Sequence, residues 1–184
     1  MASELTVQTL RGPTSGANAN TILIPSGQVL DASAGFVAPA GSVIQVLSNT
    51  QNQQNAFSIV AGGISASFAL TSTITPTSAS SKLLVMVDLD AVTRTTDEYY
   101  GRFWLYRVVG GTTTTLRSFG YPWGWSSSDN SSGTTISMKI LDTPSTTSPV
   151  QYIINFQAAN GTVDFQINRD GQGLSTIVIQ EIAG

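Results

Sequence analysis

The 184-residue chain contains no histidine and no cysteine. Without imidazole or thiol it can build neither a Ser-His-Asp nor a Cys-His catalytic set. Cys/His zinc sites, iron–sulfur clusters, haem held by His or Cys, and disulfides are excluded for the same reason. Charge is scarce as well. Only 10 % of the residues are charged, among them two Lys, six Arg and three Glu. Amphipathic helices draw on Glu, Lys and Arg, so this pool supports few of them. Net charge is −3 and the Arg residues are scattered. A basic stripe able to displace counterions from phosphates is therefore missing, and no nucleic-acid partner is expected. The longest strictly apolar run, Leu83 to Val87, falls far short of a membrane span. Met1-Ala2-Ser3-Glu4 shows neither a basic region nor a following apolar stretch, so a secretion signal is not expected. The chain holds instead 23 Ser and 23 Thr, a quarter of its length.

Two textures follow each other along the sequence. Residues 1–46 carry short strand-like pieces, Leu5-Thr-Val-Gln-Thr-Leu10, Thr21-Ile-Leu-Ile24, Gln28-Val-Leu-Asp31 and Val43-Ile-Gln-Val-Leu47, broken by Gly, Pro and Asn. Their large apolar residues are too few to close a core alone. Leu5, Val7, Ile22, Ile24, Val29 and Leu30 therefore read as a docking segment, ordered against other chains of a larger assembly. Residues 47–184 read as one domain of regularly spaced strands. Ile64, Ala66, Phe68, Leu70 and Ile74 share one face of an alternating run, and Lys82 to Leu89 is the most apolar strand. Gly110-Gly111 between Tyr100–Val109 and Thr112–Phe119 predicts a two-residue hairpin. Asn160-Gly161 between Val150–Phe156 and Thr162–Ile167 predicts a second. Thr134–Leu141 and Ser175–Ile182 complete the set. The expected fold is all-β, an antiparallel sandwich or barrel.

Three stretches resemble a module of tailed-phage virion proteins, common in phages of marine and cyanobacterial hosts. They are Ser72–Val85, Leu141–Tyr152 and Ser175–Gly184. Ala17–Ser33 resembles a short β motif that precedes such modules. The resemblance implies a jelly-roll-like β-sandwich on a homotrimeric tail-fibre or appendage protein, exposed on the virion and made in the host cytoplasm. It also implies other virion structural proteins as partners, and a glycan or protein at the host surface. Tail fibres usually carry long shafts and this chain has almost none, which leaves room for a capsid decoration protein.

Chemistry-bearing residues are few. Asp88 and Asp90 stand two apart on one strand, near Asp97 and Glu98, and could serve as an acid/base pair or ligate a cation. The plainer reading gives them to solvent or, at a subunit contact, to Arg94, Arg102 or Arg107. Tyr121-Pro-Trp-Gly-Trp125, followed by a polar tract, offers aromatic faces beside hydroxyls and amides. Tyr121, Trp123, Trp125, Asp129 and Asn130 are accordingly candidates for receptor or glycan binding, against a structural role in a core or subunit contact. Gly110-Gly-Thr-Thr-Thr-Thr115 lacks the Lys and helix of a phosphate loop. Neither a catalytic set nor a metal site or cofactor is expected, and the chain reads as a non-enzymatic structural protein.

Overall fold

The computed structural model describes residues 11–17, 19, 21–23, 26–27, 38–64, 68, 70–94, 101–119, 133–159, 161–171 and 173–184. The chain divides into two compact units, residues 1–37 and 38–184. In the first, Ala19 N–H donates to the Gly16 carbonyl at 3.1 Å, closing a turn at a glycine with φ of 92°. Gly12 lies so close to the Thr21 backbone that a side chain there would overlap it. Of the six expected docking residues only Ile22 is described, and it is 48 % exposed. Leu5, Val7, Ile24, Val29 and Leu30 lie outside the described residues.

The described residues of the second unit form ten strands: β1 (Val43–Gln51), β2 (Asn55–Ile59), β3 (Ser72–Ile74), β4 (Lys82–Arg94), β5 (Gly101–Val109), β6 (Thr112–Phe119), β7 (Gly133–Asp142), β8 (Val150–Ala158), β9 (Val163–Ile167) and β10 (Ser175–Ile182). A 3-10 turn, Arg169–Gly171, precedes β10. One sheet runs β1-β10-β4-β9-β2, with β7 on the other edge of β4, and the second runs β3-β8-β5-β6. Every pairing is antiparallel. The expected boundary at 46/47 falls inside β1, which pairs along its length with β10 and so belongs to the second unit.

Period-2 alternation places the core between the sheets. Leu83, Val85, Val87 and Leu89 of β4 meet Ile177 and Ile179 of β10 on one inner face. Phe103, Leu105, Ile154 and Phe156 line the other. The rings of Phe103, Phe156 and Phe165 sit edge-on or tilted at centroid distances of 4.2–5.8 Å, tying β9 to the opposite sheet. This is the all-β, jelly-roll-like antiparallel sandwich expected from the sequence.

Two local expectations need correction. Gly110 and Gly111, at φ of 54° and 82°, do join β5 and β6 as a hairpin. The strands on either side of Asn160-Gly161 do not make one: β8 pairs with β5 and β3, whereas β9 pairs with β2 and β4 in the other sheet, and Asn160 itself lies outside the described residues. A turn signal specifies a change of direction and not which strand the departing chain will pair with. Of the Ile64–Ile74 run, the described residues form a strand over Ser72–Ile74, while Ala66 lies outside the described residues. Phe68, Leu70 and Ile74 are buried as the alternation expects, but Ile64, which makes an isolated bridge to Gln157 of β8, is 53 % exposed.

Candidate recognition surface

Asp88 and Asp90 do project from the same face of β4, but they do different things. Asp88 is exposed. Asp90 sits at a bulge, where the register with β7 shifts between Leu89 and Val92 and Ala91 takes a φ of 45°. Its carboxylate accepts from Thr135 Oγ1 at 2.9 Å and from the Ala91 N–H at 2.8 Å. The Thr135 hydroxyl first, and then the Ala91 amide, hold the Asp90 carboxyl below the usual carboxylate range against the opposing effect of burial. Asp90 is thus engaged in shaping the bulge. Arg107 does not reach this pair. It belongs to a different cluster, while Asp97 and Glu98 lie outside the described residues.

That cluster links the two sheets. Arg107 occupies the inward face of β5 after Phe103 and Leu105, and a cation there needs a partner. Asp142 at the end of β7 supplies it at 2.8 Å, and Asp142 also accepts from the Tyr152 hydroxyl at 2.7 Å and the Thr143 N–H at 2.9 Å. Burial foremost, with the neighbouring Asp142 carboxylate, pushes the Tyr152 phenol far above its ordinary range. A second buried carboxylate, Glu181 of β10, accepts from the Thr77 N–H and hydroxyl at 2.7 and 2.8 Å and from Gln45 at 2.6 Å. Burial alone would raise the Glu181 carboxyl. The nearby Ser81 hydroxyl, itself short of a full hydrogen bond, and the donors of Gln45 and Thr77 outweigh burial and lower it. A neutral network closes the same end of the sandwich as the bulge: Ser175 Oγ donates to Asn168 Oδ1 at 2.7 Å and accepts from the Asp90 N–H at 3.0 Å. Asn168 in turn donates to the Gln51 carbonyl at 2.7 Å.

The aromatic surface lies on the outer face of the β3-β8-β5-β6 sheet. Alternation along β5 turns Arg102, Trp104 and Tyr106 outward, opposite to Phe103 and Leu105. Trp104 and Tyr106 stack at 6.3 Å with an interplanar angle of 20°, and the Arg102 guanidinium lies 5.7 Å above the Trp104 ring. Trp104 Nε1 donates to Gln157 Oε1 at 3.0 Å, which tethers the ring to β8. Cross-strand neighbours are Asn155 and Ser118 beside Trp104, and Ile153 and Thr115 beside Tyr106. A half-buried aromatic pair framed by amides and hydroxyls is suited to stacking on the apolar face of a sugar ring or of another planar group. The signal was present in the sequence as aromatic residues at i and i+2, Trp104 and Tyr106, alternating with apolar Phe103 and Leu105. It is hidden by the strand pattern, because the same alternation that buries Phe103 leaves Trp104 outside. The candidates Tyr121, Trp123, Trp125, Asp129 and Asn130 lie outside the described residues.

Among the described residues, no group of three or more His, Cys, Asp or Glu is placed to hold a metal ion, and no helix is long and apolar enough to cross a membrane. No protein-family model matches the chain, and no curated protein is similar to it in sequence. Among solved structures, it is similar to the VP2 subviral particle of infectious bursal disease virus, with a TM-score of 0.43 and 14 % identity over 94 % of this chain and 46 % of that one. It is similar also to the Gx strain of that virus, with a TM-score of 0.43 and 13 % identity over 88 % and 42 %. Dimeric latent PorU from Porphyromonas gingivalis gives a TM-score of 0.38 and 12 % identity over 80 % and 14 %. The chain spans less than half the length of each of these proteins.

Proposed function

We propose that this protein is a non-enzymatic structural component of a tailed-phage virion, an appendage whose sandwich is turned to the host surface. The reading is carried by the division of labour among its polar groups. The buried carboxylates Asp142 and Glu181 are each engaged with other parts of the same chain, whereas the outer face of β5 holds a fixed aromatic pair facing solvent. Buried charges used in this way maintain a shape; a half-buried Trp on an outer sheet face, with amide neighbours, makes a contact surface. The sequence resemblance supplies the setting, a self-associating virion module of a kind that is threefold; to this we add residues 1–46 as the segment directed to the particle and a host glycan as the ligand of the aromatic face.

Binding of the purified chain to host envelopes or to isolated surface polysaccharide tests this reading. Trp104→Ala should weaken binding at least about tenfold, the loss common for a central aromatic anchor, and full binding by that variant removes the aromatic face from the function. Labelling on whole particles should place the protein on the tail; a shell-wide distribution replaces the appendage reading by capsid decoration. Turnover of the polysaccharide that disappears with Asp88→Asn or Asp90→Asn overturns the non-enzymatic reading.

A further inference from the structure

The outer face of the larger sheet carries a pattern that the proposed function leaves unused. On β4, Lys82, Leu84, Met86 and Asp88 point outward while Leu83, Val85 and Val87 are fully buried. Read along the strand, the face is basic, apolar, apolar, acidic. The two apolar rows extend sideways: Leu84 stands beside Gln180 and Leu141, and Gln180 beside Val46, while Met86 stands beside Val178 and Lys139. Val46 and Leu141 are 54 % and 53 % exposed, a large solvent exposure for aliphatic side chains flanking one flat patch. Lys82 and Lys139, the chain's two lysines, both lie on this face. Neither Lys82 nor Asp88 makes an ion pair among the described residues.

We infer that this face is where two copies of the chain meet, sheet against sheet, about a two-fold axis crossing β4 between Leu84 and Met86. Such an axis lays β4 antiparallel on the β4 of the second copy. It sets Lys82 over the second copy's Asp88, and Asp88 over its Lys82, with Leu84 and Met86 opposed at the centre. Along β4 the charge order is its own complement under this operation, as an isologous contact requires of both subunits at once, while Lys139 on the edge strand β7 stands opposite the second copy's Leu141, where its ammonium can extend past the sheet edge to solvent. Facing sheets pack about 10 Å apart and are rotated by about 30° by their twist, an offset that a lysine side chain is long enough to absorb. Four strands of eight or so residues present about 19 Å by about 27 Å, so the contact covers about 500 Å² per copy. About 1,000 Å² in total is the lower range for a specific interface, which makes the association weak and concentration-dependent. The inference does not depend on the function proposed above. Where the chain is also threefold through another surface, the same contact pairs two trimers.

Sedimentation velocity of the full chain, followed up to about 0.5 mM because the interface is small, tests the contact together with three exposed-site variants. The native chain should show a mass that doubles with concentration. Lys82→Asp and Asp88→Lys place like charges together twice per contact, and each should raise the dissociation constant at least about tenfold. The chain carrying both substitutions should regain the native association, and an equimolar mixture of the two single variants should associate although neither does so alone. A mass unaffected by the single reversals, or a reversal that the paired substitution does not restore, overturns the two-fold contact.

Discussion

Asp142 touches both sheets, and its neighbours show what the loss of one group would do. Arg107 and Tyr152 reach it from adjacent strands of one sheet, while its own strand β7 lies in the other. Asp142→Ala leaves the Arg107 cation, which is only 19 % exposed, without its counter-ion. Removing one partner of a buried pair costs about 3–5 kcal/mol, and urea unfolding should show a loss at the lower end of that range because Arg107 retains some solvent. Tyr152→Phe removes one neutral donor to a buried carboxylate and should cost about 1–3 kcal/mol. A Tyr152→Phe chain as unstable as Asp142→Ala contradicts this ranking.

The same scale sets the acid limit of stability. Glu181 has its carboxyl lowered in the folded chain, and Asp90 shifts the same way. Between the folded and unfolded pKa values the unfolded chain binds more protons, so stability rises with pH across that window. The contribution is complete above the ordinary Glu value of 4.5 and is lost as pH falls through the lowered folded one. Urea midpoints measured from neutral pH down through this window should therefore drop steeply, and Glu181→Gln should flatten the drop while lowering stability at neutral pH. An unchanged acid slope in that variant assigns the loss to other groups.

At the scale of elements, the sandwich depends on close approaches that few residues allow. Gly101 opens β5 where a side chain would overlap the Phe156 ring and the Gln157 carbonyl. Gly101→Val should prevent β5 from pairing with β8, seen as loss of soluble protein or of near-ultraviolet signal from the Trp104–Tyr106 pair. At the β5–β6 turn nothing crowds Gly110 or Gly111, so Gly111→Ala carries only the backbone cost of positive φ, about 1 kcal/mol.

Strand positions were legible because alternation is a property of neighbouring residues: Lys82–Leu89, Val150–Phe156 and Ser175–Ile182 all lie inside β4, β8 and β10. Sheet membership was not legible. Which sheet receives β9 after Asn160-Gly161 depends on the Phe165 ring finding Phe103 and Phe156 across the core, contacts far apart in sequence. Site chemistry divides along the same line. The sequence offers Arg107 as a partner for Asp88 or Asp90 at a subunit contact, yet its inward parity commits it to Asp142 of its own chain. Trp104 and Tyr106 went unmarked because an outward aromatic looks like any strand residue until its stacking and its bond to Gln157 are seen.

For the molecule as a whole, β5 and β6 are the one pair of consecutive described strands that hydrogen-bond to each other. All other pairing joins residues separated by longer stretches of chain, which places folding in the millisecond-to-second range of non-local β proteins. A chain shortened to begin at Ala38 keeps β1 whole and should remain folded while failing to join particles lacking the full-length protein. Incorporation of that shortened chain gives the docking role to the sandwich.

In the larger sheet β10 lies between β1 and β4. Before β10 arrives, its two neighbours cannot pair with each other, and the larger sheet holds an open slot walled by the buried faces of Val85 and Val87. The slot has one matching insert, a Thr/Ile/Val/Gln segment whose Glu181 is then locked by Thr77 and Gln45. Such an arrangement is a lock and a removable key: a chain ending before Ser175 and a separate peptide of Ser175–Gly184 should reassemble on mixing. A long fragment and a short one should thus report, by their reunion, that both are present in the same place.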